Sequence, residues 1–170
     1  MTATSPATVA TGLWIVDPAR STATVSVANL GFRTVRGSVP VIAGTVDVAD
    51  GGRPRRLRAE LDLSGIDTGN RKRDADLRKP HLLDLDAHPV LTYEAEDFEL
   101  GAQGWSAHGT LSARGASCPL TVLGVPADVG ESLHLVGTAV VDRTALGVRA
   151  PRLLIGRDVS VVVDARLDRA

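Results

Sequence analysis

The sequence contains few of the residues that crosslink or fill a small protein. Its single cysteine, Cys118, excludes an intramolecular disulfide and a cysteine-rich zinc site. Aromatic residues make up only 3% of the 170 residues. The interior must therefore be built mainly from Val, Leu, Ala and Gly.

The sequence also lacks an excess charge of one sign and a long apolar run. Nineteen Lys and Arg residues against 20 Asp and Glu residues give a formal net charge of −1, whereas a duplex DNA-binding protein would carry a strongly basic surface. No apolar run approaches the roughly 20 residues of a membrane-spanning helix. The N-terminal segment MTATSPATVATG has neither the basic nor the apolar region of a secretory signal. We therefore expect no nucleic-acid partner, no transmembrane segment and a cytoplasmic protein.

The length and composition indicate one folded domain. A chain of 170 residues lies within the roughly 100–200 residues of a typical domain. Its 44% apolar and 23% charged residues are typical of a globular protein. Residues 1–10, rich in Thr, Ala, Ser and Pro, are expected to form a disordered tail, and residues 11–170 a single domain.

Alternation of apolar and polar residues with a period of two dominates the chain, as in strands with one buried face. It is clearest over 57–64 and 159–167, and similar runs cover 23–27 and 133–141. Gly and Pro separate these runs and mark chain reversals. Eight or nine short strands with short connections predict an antiparallel β-sandwich or β-barrel. Residues 70–80 break the pattern: Asn70 is a suitable N-cap and Pro80 a stop, which predicts a short helix or an ordered loop.

The apolar faces of these strands carry several small residues. They include Ala23, Ala59, Gly137, Ala139 and Ala165. A closed eight-stranded barrel either fills itself with side chains or encloses a small ligand, and small residues favour a lumen with room for one. A tightly packed sandwich is the alternative. We expect Trp14 and Trp105 to plug the core or one end of the barrel rather than to stack on a ligand.

Short motifs follow one another in a characteristic order along nearly the whole chain. The most telling are IDTGN at 66–70, RD at 73–74, LLD at 82–84 and HPVLTY at 88–93. The others are WIVDP at 14–18, NLGF at 29–32, VRG at 35–37, GTL at 109–111, PLTV at 119–122 and DRTALGV at 142–148. In order and spacing these motifs resemble those of the YceI-like family of lipid-binding proteins, from about residue 13 to 167.

The resemblance implies an all-β fold, an elongated, eight-stranded, antiparallel, lipocalin-like β-barrel. It also implies binding, carriage or storage of a long-chain apolar ligand in the lumen, such as a polyisoprenoid, a quinone or a fatty-acid derivative, with stress protection as one such role. No cofactor other than such a bound isoprenoid or quinone-like lipid is expected. Departures from the family pattern leave the ligand's identity open: Asp76 replaces a frequent His, Leu82 and Leu146 replace aromatic residues, Asp142 replaces Asn, and Ser117-Cys118 replaces Thr-Lys.

Two sets of residues are candidates for ligand contact. The candidate lumen residues are Val25, Val27, Phe32, Leu61, Leu63, Leu77, Leu82, Leu91, Tyr93, Leu111, Leu135, Val141, Val161 and Val163. Asn70, Arg71, Arg73 and Arg143 are candidates for contact with a head group, because guanidinium groups bind pyrophosphate and carboxylate bidentately. A solvated charged surface, with a structural role for Arg143, is the alternative.

No catalytic or metal-binding constellation is visible in the sequence. Cys118 would need a neighbouring base such as His108 to act as a nucleophile, and the four histidines lack the spacing of a metal site. We therefore expect no catalytic residues and no metal. An enzyme acting on a lipid-like substrate in the same barrel and an interaction protein that uses the barrel surface are the alternatives, and a homodimer is left open.

Overall fold

Nine β-strands and one α-helix make up most of the chain that the structure describes. The computed structural model describes residues 8–29, 33–80, 82–148 and 155–170. The strands are β1 (Gly12–Val16), β2 (Thr22–Asn29), β3 (Arg33–Ala49), β4 (Arg53–Asp62), β5 (Val90–Leu100), β6 (Trp105–Ala113), β7 (Ala116–Val129), β8 (Ser132–Asp142) and β9 (Ile155–Arg169); α1 is Arg71–Leu77, and 3₁₀ helices cover Pro18–Arg20, Leu63–Gly65 and Arg143–Leu146. None of the described helices has the length and apolar content that a membrane span requires.

The strands close into a barrel in which every neighbouring pair is antiparallel. Each strand from β2 to β8 pairs with the next strand along the chain. β9 also pairs with β2, which closes the barrel. β1 pairs with the same two neighbours as β2 but further along them, since Trp14 lies opposite Val46 of β3 and Arg169 of β9. β1 and β2 therefore occupy one strand position, interrupted by the 3₁₀ helix Pro18–Arg20. The predicted all-β, eight-stranded antiparallel barrel is confirmed, with β1 as one additional strand.

β-Bulges keep apolar residues on the inner face of the longer strands. In β3 the buried positions are Val39 and Val41, then Ile42 and Ala43 both face outward, and Val46 is buried again. The register with β4 shifts at the same point. An extra residue in one strand of an antiparallel pair changes the phase of the alternation. The buried positions of β3 therefore switch from odd to even numbers across the bulge.

The helix α1 interrupts the strands between β4 and β5 and lies at one end of the barrel. The Asn70 side chain accepts a hydrogen bond from the Arg73 N–H at 3.0 Å and so caps the helix. The Asp74 carboxylate accepts hydrogen bonds from the backbone N–H and the hydroxyl of Thr68. These contacts hold α1 against the segment at Thr68, whose neighbour Asp67 forms an antiparallel bridge with Ser38 of β3, and the short helix predicted near residues 70–80 is confirmed.

Two tryptophans close the opposite end of the barrel. Trp14 is 0% exposed and Trp105 is 6% exposed. The cluster that they form, called the floor, comprises Trp14, Val48, Trp105, Leu133 and Leu167. The Trp14 Nε1 donates to the Ala10 carbonyl at 2.9 Å, and the Arg169 guanidinium lies 6.0 Å from the centre of its ring. The polar group of the buried indole is therefore satisfied, and both tryptophans serve as the expected plugs.

The segment that we assigned to a disordered tail includes two residues that contact the floor. Val9 is buried and belongs to the same cluster as Trp14. Ala10 supplies the carbonyl that accepts the hydrogen bond from Trp14. Val9 is thus buried beside the indole, whereas Ala10 is exposed and contributes only its carbonyl.

Tyr93 of β5 lies across Gly109 of the neighbouring strand. The Tyr93 hydroxyl lies 3.1 Å from the Ala107 carbonyl and 2.9 Å from the Leu120 carbonyl, to which it donates. A Cβ at position 109 would lie 2.8 Å from the Tyr93 oxygen and would overlap the Glu94 carbonyl oxygen. A glycine is thus required where the tyrosine ring crosses β6.

Replacing this glycine is expected to destabilise the barrel. In Gly109→Ala the added methyl group meets backbone and the Tyr93 hydroxyl, so the free energy of unfolding should fall by about 1–3 kcal/mol. Urea denaturation followed by circular dichroism measures this loss. Gly124→Ala is the matched control, because the nearest atom to its Cβ would be Leu135 Cδ1 at 3.7 Å. Equal stability of the two variants would contradict the packing described for Tyr93.

Candidate ligand-binding cavity

A cavity runs inside the barrel from the floor to the end that carries α1. Its volume is about 610 Å³, within the roughly 300–1,000 Å³ of small-molecule sites. Small residues on the inner face, among them Ala59, Gly137, Ala139 and Ala165, line it. Because these positions project little side chain inward, the strands enclose open space. Nearly all of the wall is apolar.

The cavity wall contains every candidate lumen residue that the structure describes. Val25, Val27, Leu61, Leu63, Leu77, Leu82, Leu91, Tyr93, Leu111, Leu135, Val141, Val161 and Val163 all line it. Phe32 lies outside the described residues. The structure thus shows which face of each strand points inward, and the role of these residues in binding a ligand stays a prediction.

Several wall residues were not among the candidates from the sequence. They include Val16, Val35, Val41, Val46, Leu57, Ile66, Leu83, Leu120, Val122, Leu146, Val148 and Val159. Leu57 and Val159 belong to alternating runs already recognised, so the same signal was sufficient to find them. Val46 was hidden by the bulge at Ile42 and Ala43, because the alternation in β3 changes phase there.

Most of the polar wall residues lie at the end opposite the floor, called the mouth. The mouth comprises Thr68, Asn70, Lys72, Arg73, Asp76 and Arg143. Lys72 lines the cavity and is also exposed, so the mouth reaches solvent. Arg71 is exposed and does not line the cavity. The structure therefore brings together three of the four head-group candidates, Asn70, Arg73 and Arg143, and leaves Arg71 outside.

The Arg73 side chain is held in a fixed orientation by Thr68. Its Nε donates to the Thr68 hydroxyl at 2.8 Å and its Nη2 to the Thr68 carbonyl at 2.7 Å. Its Nη1 has no hydrogen-bond partner among the described residues. Since a guanidinium has five N–H donors, Arg73 keeps donors for an anion at the mouth.

Arg143 is a buried cation at the other side of the mouth. It is 5% exposed, its Nε donates to the Gly156 carbonyl, and its Nη1 donates to the Val148 carbonyl, each at 2.9 Å. The preceding Asp142 caps the 3₁₀ helix by accepting from the Thr144 N–H. Hydrogen bonds from Thr144 and Arg157 hold the pKa of the Asp142 carboxyl below its ordinary value. Arg143 therefore has a structural role in addition to lining the cavity.

The residues considered for nucleophilic catalysis lie on opposite faces of the barrel wall. Cys118 packs against the inner core, opposite Leu111. The His108 Nδ1 is hydrogen-bonded to the hydroxyl of Thr121, whose side chain is on the exposed face of β7. The strand wall separates the thiol from the imidazole, so the two do not form a nucleophile–base pair. Within the described residues, no cluster of three or more His, Cys, Asp or Glu side chains is arranged to hold a metal ion.

Burial also keeps the one phenol in the cavity wall out of acid–base chemistry near neutral pH. Burial raises the pKa of Tyr93 to about 12. The hydroxyl is therefore protonated under ordinary conditions and is used in hydrogen bonds to backbone carbonyls.

Comparison with known proteins identifies relatives in both sequence and fold. Residues 14–167 match the family model of the YceI-like domain. No curated protein matches the chain in sequence. BcnA from Burkholderia cenocepacia is similar in structure, with a TM-score of 0.81 and 16% identity over 89% of this chain and 98% of that one.

Two further structures share the fold at similar sequence distance. One is a polyisoprenoid binding domain from Saccharophagus degradans implicated in plant cell wall breakdown, with a TM-score of 0.69 and 12% identity over 92% of this chain and 98% of that one. The other is the Campylobacter jejuni YCEI protein, with a TM-score of 0.71 and 12% identity over 82% of this chain and 88% of that one. At these identities the likeness shows a common fold.

Removing the Asp74 carboxylate is expected to loosen the mouth without unfolding the barrel. In Asp74→Ala, Thr68 loses the acceptor for its N–H and hydroxyl, so amide hydrogen exchange across residues 68–77 should become about five- to tenfold faster. Hydrogen-exchange mass spectrometry measures this change. Asp86→Ala, which removes only the exposed ion pair with Arg78, is the control. Identical exchange of the two variants would show that Asp74 does not anchor α1.

Proposed function

This chain belongs to the family of YceI-like domains, and from its cavity we propose that it binds a long-chain apolar molecule inside the barrel. A polyisoprenoid, a quinone and a fatty-acid derivative are the classes considered. The observation that carries the proposal is an apolar cavity of about 610 Å³, closed by the floor at one end and lined by basic groups at the other. The fold shared with the Saccharophagus polyisoprenoid binding domain supports the same proposal.

Apolar burial supplies the main favourable free energy for such binding. Each buried methylene group contributes about 0.8 kcal/mol. A tail of about a dozen or more carbons therefore contributes about 10 kcal/mol, which is comparable to the association cost of about 4–15 kcal/mol. The wall needs few oriented polar groups, in agreement with its composition.

The mouth is suited to an anionic head group. Lys72, Arg73 and Arg143 are cationic, whereas the Asp76 carboxylate is engaged by Lys79 at 3.0 Å. A guanidinium matches the geometry of carboxylate and phosphate oxygens. We assign head-group contact to Asn70, Arg73 and Arg143, with the tail extending toward the floor.

The role that fits this geometry is carriage or storage without chemical change of the ligand. The cavity wall supplies an inert apolar surface. The Tyr93 hydroxyl is protonated and donates a hydrogen bond to the Leu120 carbonyl. The strand wall separates Cys118 from His108. A binding module needs neither a nucleophile nor a general base.

Filling the lumen is expected to abolish ligand binding. The inward Ala139 lines the middle of the cavity, whereas its neighbour Val140 is 59% exposed on the outer face. Native mass spectrometry of the protein from its own host should show an adduct of a few hundred daltons that extracts into an apolar solvent. Ala139→Phe should lose this adduct and Val140→Phe should keep it. The proposal would be wrong if the parent protein binds no isoprenoid, quinone or fatty acid, or if both variants keep their ligand.

Neutralising Arg73 is expected to weaken binding of anionic amphipaths selectively. Arg73→Gln removes charge-assisted hydrogen bonds worth about 1.5–3 kcal/mol, so the Kd for a carboxylic acid should rise about tenfold or more. The Kd for the neutral alcohol with the same tail should not change. Arg71→Gln is the matched control, because Arg71 does not line the cavity. Isothermal titration calorimetry gives both constants, and an equal effect of the two substitutions would remove the assigned role of Arg73.

A further inference from the structure

The cavity is closed at its deep end, because the inward-facing residues of the strands there belong to the packed floor. The inward residues of β9 that line it are Val159, Val161, Val163, Ala165 and Leu167. Leu167 is also part of the floor and is 0% exposed. Below it, Trp14 and Leu133 are fully buried. A tail that enters at the mouth therefore meets the floor and cannot pass through the barrel.

We propose that the floor limits the tail length of the ligand, and that the chain selects single-chain acidic lipids with about 16–18 atoms along the tail. This inference rests on the proposed function, since it concerns the ligand of the same cavity. A fatty acid of that length or an isoprenoid acid of about four units meets the requirement.

The tail length follows from the depth of the wall. Val159 and Leu167 are eight residues apart, which is about 26 Å along a strand. With the strand tilt of about 40° that closes a barrel, the depth along the axis is about 20 Å. An extended chain advances by about 1.2 Å per bond, so this depth accommodates about 16–18 bonds.

The cavity volume agrees with this length. Liquid water occupies about 30 Å³ per molecule, and a methylene group is of similar size. About 16–18 methylene groups of this size need about 500 Å³, for which a cavity of about 610 Å³ has room. A much longer tail would have to fold back or remain outside.

The floor is held in a way that resists displacement. The Trp14 indole is fixed by its hydrogen bond to the Ala10 carbonyl and is covered by the Arg169 guanidinium. Its neighbours Val48 and Leu133 are 0% exposed. Protein interiors are packed as densely as organic crystals, so a tail cannot extend the cavity without breaking these contacts.

Both shorter and longer tails are therefore disfavoured. Each missing methylene leaves wall uncovered and weakens binding by up to about fourfold. Each additional carbon beyond the floor limit must stay at the mouth, where it moves the head group away from Arg73 and Arg143. Affinity should rise with tail length and then stop rising.

The experiment is a series of straight-chain carboxylic acids with ten to twenty-two carbons. Their Kd values are measured by isothermal titration calorimetry or by displacement of 1-anilinonaphthalene-8-sulfonate. A steep rise in affinity that ends at about 16–18 carbons is expected. An uninterrupted rise to twenty-two carbons, or a break well below sixteen, would overturn the length limit while leaving the proposed function intact. Absence of binding at every length would overturn the proposed function itself.

Matched variants place the limit at the floor. Ala165 lines the deepest part of the cavity and belongs to the same buried cluster as the floor residues Trp14 and Leu167, whereas Ala139 lines the middle. Ala165→Leu should shorten the preferred tail by about three atoms. Ala139→Leu narrows the lumen at mid-depth and should shorten the preferred tail by more than Ala165→Leu does. If Ala165→Leu fails to fold, Leu135→Ala should lengthen the preferred tail by a similar amount, and a break that stays in place in the folded variants would overturn the proposal.

Discussion

The interior of a closed eight-stranded barrel has a cross-section set by the number and tilt of its strands. This chain does not supply enough large inward side chains to fill it. Small residues such as Gly137 and Ala139 face inward at mid-depth, while the two tryptophans are confined to one end. The cavity thus follows directly from the positions of large and small side chains along the inner face of the strands. The closed floor and the apolar wall follow from the same distribution.

The two ends of the barrel solve different physical problems. At the floor, packed apolar side chains exclude water, and the Trp14 Nε1 donates to the Ala10 carbonyl. At the mouth, α1 is held by side-chain hydrogen bonds to Thr68, so the charged groups are positioned by polar contacts rather than by packing. Packing of the floor makes it rigid, whereas hydrogen bonds at the mouth can be exchanged for contacts with a ligand or with water. A packed apolar end and a polar charged end are together suited to a ligand with an apolar tail and a charged head.

The alternating pattern predicted an antiparallel β-sandwich or β-barrel and most of the inner wall, because each strand exposes one face to the apolar interior. The choice of the barrel came from the resemblance to the YceI-like family. The alternation failed where a bulge changes the phase, as at Ile42 and Ala43, since the extra residue is defined by pairing with β4 rather than by local sequence. At the mouth, the sequence did not separate Arg71 from Arg73. The separation depends on Thr68, which orients only the second guanidinium. Likewise, the burial of Val9 depends on Trp14, a contact that composition does not reveal.

The interrupted strand formed by β1 and β2 has a consequence for how the protein is made. It pairs with β3 and β9, so closure joins residues 12–29 to residues 155–169. Such pairing of distant segments is entropically costly and slow. Until β9 is synthesised and docked, β2 and β8 have unpaired edges and the apolar face that later becomes the cavity wall is open to solvent. Unpaired strand edges beside an open apolar face favour aggregation, so the interval before β9 docks is the stage of folding at which this chain is most prone to it.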